Sequence, residues 1–190
     1  MNNFYIEPMP VRRQAARLGK KEDLAILVND EESSIRVQVA LHDHKEHLDI
    51  LVHDVDWQVR AHVAEQGHKE HLDILVHDTE CIVRKEVARH GHKEHLDILI
   101  HDIDRRVRKD MAKLGIKEYL DILVNDTEGI VRTYVAIQGN KEHLDILVHD
   151  KYWLVRAEVA AHGHLEHLRP LVNDTEELVR EEALKHAGLL

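Results

Sequence analysis

One cysteine, one phenylalanine and three prolines are all that 190 residues supply of these types, and aromatic side chains make up only 4% of the chain. A lone thiol, Cys81, excludes an internal disulfide and a thiolate-rich metal site alike. Long apolar runs are missing too: nothing approaches the roughly 20 residues that a membrane-spanning helix requires, so no membrane partner is expected. The opening residues, Met1-Asn2-Asn3-Phe4-Tyr5-Ile6-Glu7-Pro8, place no basic stretch ahead of an apolar one, and the expectation is a cytoplasmic protein. Glycine-rich phosphate loops and Gly-x-Ser-x-Gly elbows are also absent, so neither catalytic residues nor a cofactor are expected.

What the chain does contain is charge and repetition. It has 26 basic and 36 acidic side chains, a net charge of −10, and 43% apolar residues, a balance that folds rather than staying disordered. The segment Gly67-His-Lys-Glu-His-Leu-Asp-Ile-Leu-Val-His-Asp78 returns nearly unchanged at Gly91–Asp102 and, with few changes, at Gly139–Asp150. The period is 24 residues. Seven units begin at Gly19, Asp43, Gly67, Gly91, Gly115, Gly139 and Gly163, and Val11–Leu18 reads as the second half of a further unit.

Numbered from the glycine, position 12 is aspartate in all seven units, Asp30 to Asp174, which is expected to cap the N-terminus of a helix B. That helix has Val or Ile at 17, Arg at 18, an apolar residue at 21 and mostly Ala at 22, and stops at the next glycine. Positions 2 to 11 form a shorter helix A with leucines at 6 and 9. Isoleucine at 8 points off the leucine face, so either neighbouring units bury it or helix A is wound partly at three residues per turn. A pair this short cannot bury its own apolar face, so the units must stack. The expected fold is an all-α solenoid of seven two-helix repeats plus an N-terminal half repeat. Residues 1–10 are a cap segment in which Phe4, Tyr5, Ile6 and Met9 cover the first core layer, 11–186 form one repeat solenoid, and 187–190 are a tail. At the far end Arg169-Pro170 and the acidic stretch Glu176 to Glu182 supply a polar closing face.

The pattern Leu-x-x-Leu-x-x-Asp-x-x-x-x-Val-Arg-x-x-Val-Ala at this spacing resembles the leucine-rich repeat variant family and, more broadly, HEAT-like α-solenoids. Asp78 and Arg84, six apart, match the pair such repeats use between neighbouring units. The prolines within the unit and the N-terminal cysteine cluster of the variant family are missing, so no iron–sulfur centre is implied. For function the resemblance implies a binding surface.

On a helical wheel at 100° per residue, positions 17, 18, 21 and 22 fall together, and the variable positions 15, 16, 19, 20 and 23 occupy the other face, at about 160° to 300°. In a HEAT-like stack that face is expected to be concave. It presents Trp57, then a basic group of Lys85, Arg89, Arg105, Arg106, Lys109 and Lys113, then Tyr134, Tyr152 and Trp153. Aromatic and arginine side chains dominate binding energy at interfaces, so these ten residues are the candidate partner site. The partner expected is a protein or peptide of acidic and apolar character. A nucleic acid or other anionic ligand on the same patch is the alternative, opposed by the overall negative charge. The arginine ladder, Arg36 to Arg180, is read as a structural inter-unit bond. Cys81 is read as an incidental exposed thiol.

The 18 histidines fall in columns at positions 2, 5, 11 and 24. Positions 2 and 5 lie on one helix face and have metal-ligating chemistry, but neighbouring columns are about 10 Å apart against the ~2 Å that a metal bond needs, so repeated surface histidines are the simpler reading. Full protonation would take the net charge from −10 to +8, which predicts altered association below about pH 6.5.

Overall fold

A computed structural model describes residues 7–189 of the chain. Among them are fifteen helices and no strand, grouped in two compact units that divide between Ile98 and Leu99. The first unit has long helices α1 (Met9–Leu18), α3 (Ser33–Ala40), α5 (Trp57–Glu65) and α7 (Cys81–Arg89) alternating with short ones, α2 (Lys21–Leu27), α4 (Lys45–Leu51), α6 (Lys69–Leu75) and all but the last residue of α8 (Lys93–Leu99). In the second, long α9 (Arg105–Lys113), α11 (Gly129–Ile137), α13 (Trp153–Ala161) and α15 (Glu177–His186) alternate with short α10 (Lys117–Leu123), α12 (Lys141–Leu147) and α14 (Leu165–Leu171). No helix among the described residues is long and apolar enough to cross a membrane.

Helices of seven residues are unstable alone, and tertiary packing has to hold them. Within each unit every long helix packs on the next long one, while α2, α4, α6, α10, α12 and α14 each wedge between the two long helices that flank them. Leu48, Leu51, Val59 and Val63 show how the columns close: positions 6, 9, 17 and 21 lose essentially all contact with solvent. Each such side chain contributes about 1.5–3 kcal/mol relative to exposure. Isoleucine at position 8 is not buried by neighbouring units, and the three-residue winding is confined to the ends of the short helix. Ile50, Ile74, Ile122 and Ile146 stay 43–53% exposed, because the short helix keeps α-geometry through its middle and aims that residue outward. Three-residue hydrogen bonds occur at its ends, as from the His47 amide to the His44 carbonyl and from the Asp54 amide to the Leu51 carbonyl.

The aspartate at position 12 is not the N-cap. Long helices start at position 15, with Glu32, Asp56, Glu80, Asp104, Glu128, Tyr152 and Glu176 as caps. The aspartate sits two residues earlier and accepts the cap residue's own amide, as Asp54 Oδ1 does from Asp56 at 2.8 Å and Asp150 Oδ1 from Tyr152 at 2.7 Å. This side-chain turn leads the chain into the helix. Its other partner is the arginine of the preceding repeat. Arg60 donates to both carboxylate oxygens of Asp78 at 2.5 and 2.9 Å, while its third nitrogen binds the Asp54 carbonyl at 2.7 Å. Arg36, Arg108, Arg132 and Arg156 repeat this fork on Asp54, Asp126, Asp150 and Asp174. The carboxylate partner therefore lies 18 residues onward, and the six-residue spacing visible in sequence serves a backbone bond. Two-point pairing raises Arg36 above the ordinary arginine value and lowers Asp174 below the ordinary carboxylate value, the hydrogen bond being the main cause in each.

Of the expected N-terminal cap, Phe4, Tyr5 and Ile6 lie outside the described residues. Met9 opens α1 and stands exposed rather than covering the core.

Candidate partner-binding face

Since positions 17, 18, 21 and 22 are occupied by core and ladder, each long helix is left with one face toward solvent. In the first unit that face opens a groove of about 410 Å³ across α1, α3, α5 and α7. Trp57, 36% exposed, lines it with Ile82, and Arg13 and Arg17 form the wall on α1. Lys85 is half-buried on α7, and Arg89 is exposed and donates to Glu86. Glu86 itself is buried in the groove and held by that guanidinium. Arg13 and Arg17 are absent from the ten expected residues. They occupy positions 19 and 23 of the half repeat, the same columns that gave Lys85, Lys109, Arg89 and Lys113, so the wheel would have found them had the half repeat been included.

The second unit contributes the remaining basic residues. Arg105 is exposed 3.3 Å from Glu128, and Arg106 lies 2.7 Å from Asp104. Lys109 and Lys113 place their ammonium groups 5.6 and 5.0 Å from the centre of the Tyr134 ring, a cation–π arrangement that brings three expected site residues together. Tyr152 and Trp153 meet at 6.3 Å between ring centres. Tyr152 lies against Gly129, the only glycine at position 15, where an added Cβ would come within 2.4 Å of the ring. That contact shapes a hollow of about 340 Å³ bordered by Arg105, Ile130 and Tyr152. Trp153 itself is only half-exposed.

Cys81 corrects its expectation: it is buried, 6% exposed, although Trp57 and Arg105 at the same position of other repeats are exposed. The histidines at position 5 correct theirs as well. His47, His71, His95, His143 and His167 are 1–4% exposed. Nε2 of His71, His95, His143 and His167 meets an aspartate of the preceding repeat, Asp49, Asp73, Asp121 and Asp145, at 2.6–2.7 Å. Their Nδ1 atoms are buried without a hydrogen-bond partner. Ala25 stands where the partner of His47 would be, so burial pushes the His47 imidazole below its usual value, with His44 adding to the effect. The histidines at position 24 make a different bond: His42 and His162 meet the carbonyls of Ala16 and Ala136 at 2.6 and 2.8 Å. These columns are therefore part of the frame, and no cluster of three or more His, Cys, Asp or Glu among the described residues is arranged to hold a metal ion. Sequence reasoning had no means to see this, because the two halves of each His–Asp pair sit 22 residues apart.

No protein-family model matches the sequence, and no curated protein does. Among solved structures, the chain is similar to one described as a leucine-rich repeat variant with a novel repetitive protein structural motif. The two share 32% identity and a TM-score of 0.85 over 98% of this chain and 78% of that one. The Escherichia coli protein YibA, 20% identical with a TM-score of 0.55 over all of this chain and 86% of its own, shares the helical-repeat fold.

Proposed function

The chain belongs to the leucine-rich repeat variant family, and on that footing we propose that it is a non-enzymatic scaffold for a protein or peptide of acidic and apolar character. The observation behind this reading is the sorting of side chains. Invariant residues are consumed by core and inter-repeat bonds, while residues that differ between repeats lie on the solvent-facing side of the long helices within each unit, Trp57 in the first and Tyr134, Tyr152 and Trp153 in the second, with basic groups nearby in each. Partly exposed aromatics among arginines and lysines suit an anionic, apolar partner. A catalytic reading built on a desolvated carboxylic acid in the first-unit groove would use Glu86, which is tied to Arg89.

The experiment is capture from nuclease-treated and untreated lysate with wild type, with Trp57→Ala/Trp153→Ala, and with Arg105→Gln/Arg106→Gln/Lys109→Gln. A partner retained by wild type in both lysates and lost from both variants, at unchanged melting temperature, supports the reading. A signal abolished by nuclease replaces it with an anionic-polymer site, and partners unaffected by either variant remove the face from consideration.

A further inference from the structure

Resting on the scaffold reading, we propose that the first-unit groove is a site for a short peptide segment in which a carboxylate adjoins a bulky apolar side chain, the carboxylate on Arg13 and Arg17 and the apolar group on Trp57 and Ile82.

Charge distribution gives the orientation. Arg13 and Arg17 stand one turn apart on α1, so both guanidinium groups reach the same side. Their neighbour Arg12, the ladder residue, is buried against Asp30 and Glu31 at 3.3 and 3.1 Å. Arg13, by contrast, meets only the neutral hydroxyl of Ser34 at 3.4 Å, and among the described residues neither Arg13 nor Arg17 pairs with a carboxylate. The opposite wall has Glu65 and Glu86, and each already has a nitrogen partner, His62 at 2.6 Å and Arg89. The positive end of the groove is thus the one left unmatched, and paired guanidinium groups recognise carboxylates through two-point hydrogen bonds.

Between these ends Trp57 and Ile82, both partly exposed, give the groove an apolar surface beside the unmatched charge. About 410 Å³ accommodates a few side chains of an extended segment. A nucleic acid fits less well, since its evenly spaced phosphates would run from the arginines onto Glu65 and Glu86.

The test is a displayed library of random octapeptides selected on the 190-residue chain, on Arg13→Gln/Arg17→Gln and on Lys117→Gln/Lys141→Gln, a lysine variant of the short helices outside the candidate face. The expected result is enrichment of Asp or Glu beside Leu, Phe or Trp on wild type and on the lysine variant, lost on the arginine variant. An enriched peptide then shifts the emission of Trp57 in a Trp153→Phe background, where it is the sole tryptophan, and binds at least about tenfold more weakly to the arginine variant at unchanged melting temperature. Enrichment that survives the arginine variant overturns the groove and leaves the scaffold reading in place. Enrichment without acidic residues, or none on any of the three chains, overturns the groove as well; the lysate capture, which uses no library, then decides the scaffold reading separately.

Discussion

On the short helices the charges come in closed sets. Lys69 reaches Asp73 one turn onward, Lys117 reaches Asp121 in its own repeat and Glu142 in the next, and Lys141 reaches Asp145 and Glu166 in the same way, at 3.0–3.5 Å. On the long helices the exposed side has no such rule: Arg13 faces a hydroxyl, Lys109 and Lys113 face an aromatic ring, and Arg105 reaches Glu128. The short-helix surface pairs its charges in the same way repeat after repeat, whereas the long-helix surface pairs some of its basic groups with carboxylates, as Arg89 with Glu86 and Arg106 with Asp104, and sets others against a hydroxyl or a ring. Exposed pairs of the first kind are worth only about 0–1 kcal/mol each, so their regularity reflects the repeat and contributes little to stability.

The comparison is most sharply broken at the buried ladder. Removing one member strands the other: Asp78→Ala leaves the Arg60 guanidinium without its two-point acceptor and the Glu80 amide without its side-chain acceptor. A loss of about 3 kcal/mol is expected in urea denaturation, against under about 0.5 kcal/mol for Lys117→Gln on the short-helix surface. Similar losses from both would show that the two kinds of pairing are not distinct.

Glycines give the next largest contrast. Gly139 holds φ at +71°, and an added Cβ would come 2.8 Å from the His162 imidazole, so Gly139→Ala is expected to cost about 1–2 kcal/mol and to disturb the His162 bond to Ala136. Gly129 is helical, so alanine there gains up to about 1 kcal/mol in propensity while displacing Tyr152. Urea midpoints should therefore fall for the first substitution and hardly move for the second, whose effect appears in the Trp153 emission.

Acid tests the histidine columns. His47 binds its proton less readily folded than unfolded, because burial lowers it from 6.5. The unfolded chain gains that proton first as pH falls below 6.5, so melting temperature begins to drop there. Asp49, Asp73, Asp121 and Asp145 are lowered from 3.8 chiefly by the histidine of the next repeat, and their stabilisation is present above that value and lost as pH falls through it. A two-stage decline is expected, and His47→Gln should remove only the upper stage. A single stage in wild type would mean that His47 titrates as a surface group.

Repetition made the architecture legible: a 24-residue period with leucine, valine and glycine columns specifies which faces are buried before any coordinates exist. Partners that lie a repeat apart were not legible. Asp54 looks like a cap from its neighbours in sequence, and only its distance from Arg36 shows the second role. His71 looks like a surface imidazole until Asp49 of the preceding repeat is seen against it. The candidate site was readable as a set of columns, but exposure within a column changes from repeat to repeat, as at position 15, where Trp57 is exposed, Cys81 buried and Trp153 half-exposed. Arg13 and Arg17 were hidden only because their half repeat lacks the glycine that starts the count.

The lysines above Tyr134 are expected to have only a small effect on folding. An ammonium over an exposed aromatic ring contributes about 0.5–1 kcal/mol at most, and Lys113 divides its charge between Tyr134 and Asp110, 3.0 Å away. Lys109→Gln/Lys113→Gln should therefore shift the urea midpoint by an amount equivalent to under about 1 kcal/mol while leaving the Tyr134 ring newly uncovered. A larger loss would place these lysines with the ladder arginines as part of the frame. Near-neutral stability joined to a change in partner capture would place them with Trp57, because a side chain that the fold does not need and the partner does is the signature that separates the long-helix face from the short-helix one.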